Sequence, residues 1–199
     1  MEHVVMDYLI KQGLGHAAVA WAGESGAGLG VGGRVATPAW LLARQDITLH
    51  VLRGEVENAT RLLTRFSPGL LDAHPTLQFT LKQQQLIELV RNDALDDALV
   101  FAQELMPLAQ QQPDMLQELE RTMALFALGV DEGGEDKERG RLMGVARRWQ
   151  VVQAVNAAVF DKEGVESTTT LEDMVRRVAW EQDTVATRTT CAVPSPHLL

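Results

Sequence analysis

Residues 81–90 read LKQQQLIELV. Three glutamines, Gln83, Gln84 and Gln85, interrupt the most apolar part of a longer helical pattern. On a helix over residues 77–91, Phe79, Leu86 and Val90 share a face with Gln83 between them. Leu81 and Leu89 share another, with Gln85 between them. Gln84 joins Glu88 and Arg91 on what the spacing marks as the wet side. Two readings stay open. Gln83 and Gln85 are boundary residues with solvated amides, or the helix is central, with neighbours on several sides whose backbone the amides meet.

The pattern continues outward in both directions. Upstream, Ile47, Val51 and Leu52 run to Gly54. Val56, Ala59, Leu62, Leu63 and Phe66 follow and stop at SPG (67–69), and Pro75 suits the first position of the glutamine helix. Downstream, RNDALDDA (91–98) turns the chain into Ala98, Phe101, Ala102 and Leu105, where Pro107 is expected to end the helix. Pro113 and Asp114 open the next one, through Leu116, Leu119, Met123 and Phe126. Val145, Trp149, Val152, Val155 and Val159 form another stripe. Thr169 and Glu172 have capping-box spacing before Leu171, Met174, Val175, Val178 and Ala179. GAGLGVGGRVATP (26–38) reads as a flexible linker, GVDEGGEDKERG (129–140) as a charged loop, and the chain after about Asp183 as a patternless, disordered tail. At the N-terminus, Val5, Tyr8 and Leu9, then Gly13, then Leu14, Ala17, Ala18 and Trp21 read as two short helices about a glycine turn. Only 5% of the 199 residues are aromatic and β-branched runs are scarce, so the expected class is all-α.

LRGEVENATRLL (52–63) and VRNDALDDALVF (90–101) echo each other at a distance of about 39 residues, a spacing found among helical-hairpin repeats.

The net charge of −9 gives no basic footprint for direct binding to nucleic acid or to an anionic membrane. Cys191 stands alone, so neither an internal disulfide nor a multi-cysteine zinc site is expected. The five histidines lack ligand spacing. Gly28, Gly30 and Gly33 spell a dinucleotide-binding motif, but between a helical pattern and Pro38 rather than a strand and a helix. No cofactor, metal or catalytic group is expected. No membrane span or secretion signal is legible, which points to a cytoplasmic and nuclear location.

Longer stretches resemble a known family. YLIKQGLGHAAVAWAGES (8–25) resembles a LisH motif. Residues 47–106 are similar to a CTLH domain, most specifically in LRGEVENA, LLD, FTLKQQQLIELVR and ALVFAQ. LERTMALFAL (119–128), VVQAVNAAVFD (151–161) and ESTTTLEDMVRRVAWEQ (166–182) look like the parts of a CRA domain. The resemblance implies a LisH helical hairpin and linker start over 1–34, an antiparallel CTLH–CRA bundle with CTLH at 44–101 and CRA at 98–183, and a tail at 184–199. It further implies a short noncatalytic scaffold subunit of the GID/CTLH E3 ubiquitin ligase. Such a subunit joins RING-bearing partners to substrate-receptor and SPRY-bearing ones. The alternative is a freestanding LisH dimerisation adaptor for cytoskeletal or transcriptional partners. Candidate interface residues are Tyr8, Leu9, Ala17, Ala18 and Trp21, for self- or hetero-association or else for packing back on the CTLH helices. Gln83 and Gln85, then Trp149, Val152, Val155 and Trp180, complete the set.

Overall fold

The computed structural model describes residues 2–31, 34–127, 140 and 142–188. It is all-α apart from one two-residue β pairing. In chain order the elements are α1 (Glu2–Lys11), α2 (Gly15–Ser25), β1 (Gly30–Val31), β2 (Arg34–Val35), α3 (Pro38–Arg53), α4 (Val56–Phe66), α5 (Leu70–Ala73), α6 (Pro75–Arg91), α7 (Leu95–Ala109), α8 (Pro113–Ala127), α9 (Val145–Glu163) and α10 (Thr170–Arg188). They form two compact units, Met1–Leu41 with Val165–Leu199, and Leu42–Gly164.

The 39-residue echo has a structural basis in one repeated turn. α3 ends with Gly54 at φ +84 and α6 with Asp93 at φ +60. In each case the left-handed residue donates to a carbonyl three back (Gly54 to Val51, Asp93 to Val90), and the next residue to one five back (Glu55 to His50, Ala94 to Leu89). This is a Schellman cap. Gly13, at φ +76, and Leu14 close α1 the same way onto Ile10 and Leu9. Asp93 manages without glycine because a short polar side chain tolerates the left-handed region.

In the larger unit α6 touches α4, α5, α7, α8 and α9. Its buried side chains are Leu77, Phe79, Leu81, Gln83, Gln84, Leu86, Ile87 and Glu88, on most sides of the helix. The helix is central, as the second reading expects, but the amides of Gln83 and Gln84 meet side chains rather than neighbouring backbone, and Gln85 is half-buried. Phe79 and Leu86 join Ala98, Ala102, Leu105 and Ala109 of α7 and Met115 and Leu119 of α8 in one core. The alanines of α7 leave room for its neighbours to approach closely.

In the smaller unit α1 packs on α2, on β1 and on α10. Asp7, buried, accepts from the Thr170 backbone N–H at 2.7 Å and from its hydroxyl at 2.9 Å. Lys11 Nζ lies 3.1 Å from Asp7 and donates to Thr168 O at 2.6 Å. The capping box forms as spaced: Thr169 N–H donates to Glu172 at 2.9 Å and Glu172 N–H to Thr169 Oγ1 at 3.1 Å.

Three expectations are corrected. Pro107 lies inside α7, which runs on to Ala109. Proline this near a helix end forfeits only one late hydrogen bond, on an exposed face. The glycine-rich stretch pairs Gly30 with Val35 and Val31 with Arg34, so part of it is an antiparallel hairpin. α10 persists to Arg188, past the point where the apolar stripe fades, with Thr184 and Thr187 hydroxyls bonding back to its own carbonyls. The charged loop lies almost wholly outside the described residues, as does the tail beyond 188.

Candidate protein-interaction site

Gln83 and Gln84 anchor a buried polar network, while Gln85 is half-buried on the outer row of α6. Gln83 donates to Thr122 Oγ1 of α8 at 2.8 Å and accepts from Arg147 of α9 at 2.6 Å. Gln84, fully buried, donates to Glu88 Oε1 at 2.7 Å. Glu88 is the hub. Arg148 meets it with Nε on Oε1 at 2.8 Å and Nη2 on Oε2 at 2.7 Å, and Arg91 adds a bond to Oε2 at 2.6 Å. Arg148 also donates to Leu52 O at 2.9 Å, and Arg91 to Met143 O. One carboxylate thereby joins α6, α9 and the end of α3. Burial alone would raise the Glu88 carboxyl. Hydrogen bonds from Arg148 and Gln84, with the charges of Arg91 and Arg148, outweigh it and hold the group below its usual value. The Glu88 bond in turn raises the Arg148 guanidinium.

The phase of α6 differs from the one its helical spacing suggests. Gln84 and Glu88, assigned to the wet side, are buried, while Gln85 is only half-buried. The partner that makes their burial tolerable is Arg148, 60 residues away, and no local pattern announces it. The outer row of α6 is instead Pro75, Gln78, Lys82, Gln85 and Leu89, all half-buried.

A second buried cation lies in the same unit. Arg44 bonds Asn156 at 2.8 Å and sits 4.3 Å above the Phe160 ring, and burial lowers its guanidinium to about 10.

Apolar surface is exposed elsewhere. In the smaller unit Val4, Val5 and Tyr8 of α1 and Leu171 and Met174 of α10 line an apolar groove of about 550 Å³. Val175, Val178, Trp180 and Val185 extend exposed apolar surface along α10, with Trp180 67% exposed. In the larger unit Leu95, Leu99, Val100 and Met106 are exposed on α7. Rows of this kind mark interaction surfaces.

The candidate residues therefore separate. Tyr8 lines the groove, Leu9 and Trp21 are half-buried, and Ala17, Trp149 and Trp180 are exposed. Ala18, Val152 and Val155 are buried, on the covered sides of α2 and α9. The first helix of the hairpin packs on α10, an arrangement neither sequence alternative named. Leu171, Met174, Val175 and Val178 were legible as a stripe, but helical spacing does not reveal whether a stripe is covered. The outer row of α7 carried no signal beyond being apolar.

Residues 41–186 match the family described as CTLH/CRA C-terminal to LisH motif domain. The chain is 32% identical over 185 residues to a glucose-induced degradation protein 8 homolog of Nematostella vectensis, which covers 92% of this chain and 78% of that one. It is 32% identical over 183 residues to the protein GID8 homolog of Arabidopsis thaliana, at 92% and 72% coverage. It is 25% identical over 190 residues to GID complex subunit 8 of Schizosaccharomyces pombe, at 89% and 75%. The chain belongs to the CTLH family and is of the GID8 type.

Proposed function

We propose that the chain is a noncatalytic scaffold subunit of a GID-type E3 ubiquitin ligase. It joins RING-bearing subunits to substrate-receptor and SPRY-bearing ones for proteasomal degradation, in cytoplasm and nucleus. The observation that carries this reading is likeness to GID8 proteins over about nine-tenths of the chain, one of them named as a GID complex subunit. The geometry supports it: a scaffold needs more than one attachment surface, and each unit exposes a row of large apolar side chains. The groove between α1 and α10 is the surface through which the LisH hairpin would meet a second family member.

Affinity purification of the tagged chain with mass spectrometry tests the proposal. RING-bearing and SPRY-bearing family members should co-purify. A set holding cytoskeletal or transcriptional proteins and no RING subunit would favour the freestanding adaptor. The chain alone should not discharge ubiquitin from a loaded conjugating enzyme, and adding the RING subunits should restore discharge.

A further inference from the structure

A subunit held beside ubiquitin-loaded enzymes is itself exposed to them. This inference rests on the ligase reading for its context, but its chemistry can be tested apart from it. The chain carries four lysines, Lys11, Lys82, Lys137 and Lys162, against fourteen arginines. Arginine supplies positive charge but stays protonated, so it cannot serve as the nucleophile. Transfer to lysine needs a neutral ε-amine that can reach the thioester. The nitrogen attacks the carbonyl carbon, the C–N bond forms, the C–S bond breaks, and the conjugating enzyme's cysteine leaves and takes up the proton.

Two of the three described lysines are held. The Lys11 side chain is 8% exposed, and its ammonium is fixed between Asp7 at 3.1 Å and Thr168 O at 2.6 Å. Both contacts hold the amine inward, away from an approaching thioester. Lys162 is exposed, and what holds it is one hydrogen bond, its amine donating to Pro68 O at 2.6 Å in the turn before α5. Lys82 differs. It stands in the outer row of α6, between Gln78 and Gln85, half-buried, and no hydrogen bond or ion pair holds it among the described residues. We propose that ubiquitin transfer onto this chain is confined, among its described lysines, to Lys82.

The test uses the full chain carrying Lys137→Arg, with a RING domain fused at either terminus. The fusion provides proximity whether or not the natural assembly forms. After reaction with ubiquitin-loaded conjugating enzyme, peptide mapping reads the ubiquitin on each lysine. Lys82 should carry most of it. Lys11 and Lys162 should carry roughly tenfold less, about the factor that one hydrogen bond to a charged group is worth. Lys82→Arg should remove most lysine-linked ubiquitin, and Arg65→Lys or Arg177→Lys, at exposed positions, should restore it. Asp7→Asn should raise the share on Lys11. Modification of Lys11 or Lys162 equal to that of Lys82, or persistence of the parent's level on Lys11 and Lys162 in Lys82→Arg, overturns the proposal. Failure of the ligase reading would show instead in the partner purification and would leave this acceptor map unchanged.

Discussion

Glu88 of α6 and Arg148 of α9 form a two-point ion pair, with contacts of 2.8 and 2.7 Å, across 60 residues of sequence. The two side chains are 8% and 16% exposed. Removing one member of a largely buried pair strands the other, at a cost of about 3–5 kcal/mol. Glu88→Ala should lower the denaturant midpoint accordingly, because Arg148 and Arg91 lose their carboxylate partner and Gln84 its acceptor. Replacing both Glu88 and Arg148 by leucine should cost less than the sum of the single changes. Additive costs would show that the pair is not coupled.

The same carboxylate makes stability depend on pH. Its folded value lies below the ordinary 4.5. The contribution is therefore complete above about 4.5, where even the unfolded chain is ionised, and is lost as pH falls through the lower folded value. Urea midpoints taken from neutral to acid pH should fall more steeply for the natural chain than for Glu88→Gln. Parallel slopes would assign the acid sensitivity to other carboxylates.

Gly54 has two reasons to be glycine. Its φ is +84, and a Cβ there would stand 2.6 Å from Arg148 Nη2 and 2.8 Å from Glu88 Oε2. Gly164 shares only the first, with φ +66 and open space around it. Gly164→Ala should cost about 1–2 kcal/mol, the left-handed penalty. Gly54→Ala should cost clearly more, because the ion pair must also shift. Equal losses in thermal unfolding would mean that the pair moves aside freely.

How much of this was legible follows from the kind of signal each feature carries. Helix existence was legible because the apolar stripes are long and because Pro75, Pro113 and the Thr169–Glu172 box mark starts by local chemistry. The turn echo was legible because a Schellman cap is local as well. The phase of α6 was not. Gln84 and Glu88 look like surface residues until Arg148 arrives from another helix, and helical spacing carries no information about partners that distant. Burial of Val152 and Val155, against exposure of Trp149 on the same helix, was hidden for the same reason.

The corrected phase of α6 can be checked directly. Gln84 is fully buried, and its Oε1 lacks a hydrogen-bond partner among the described residues. Gln84→Ala should destabilise by about 1–3 kcal/mol, since Glu88 loses a donor and the core a side chain. Gln85→Ala, on the half-buried row, should stay within about 0.5 kcal/mol. The reverse order of chemical-denaturation midpoints would restore the wet-side assignment of Gln84.

The groove between α1 and α10 allows association to be separated from folding. Met174 is 48% exposed and lines the groove with Leu171 and Tyr8, whereas Ala18 is fully buried in the same unit. A charge at Met174 meets solvent in the free chain but would have to be desolvated in a complex, without a partner to pair with. Met174→Asp should therefore leave the far-ultraviolet circular dichroism and the melting temperature near those of the parent. It should shift the mass from light scattering towards a smaller species, or abolish co-purification of a family partner. Ala18→Asp puts the same charge into a covered position and should unfold the unit instead. If Met174→Asp keeps its associated mass and all its partners, this groove is not where the hairpin meets another chain. If it melts as Ala18→Asp does, the face belongs to the unit's own core.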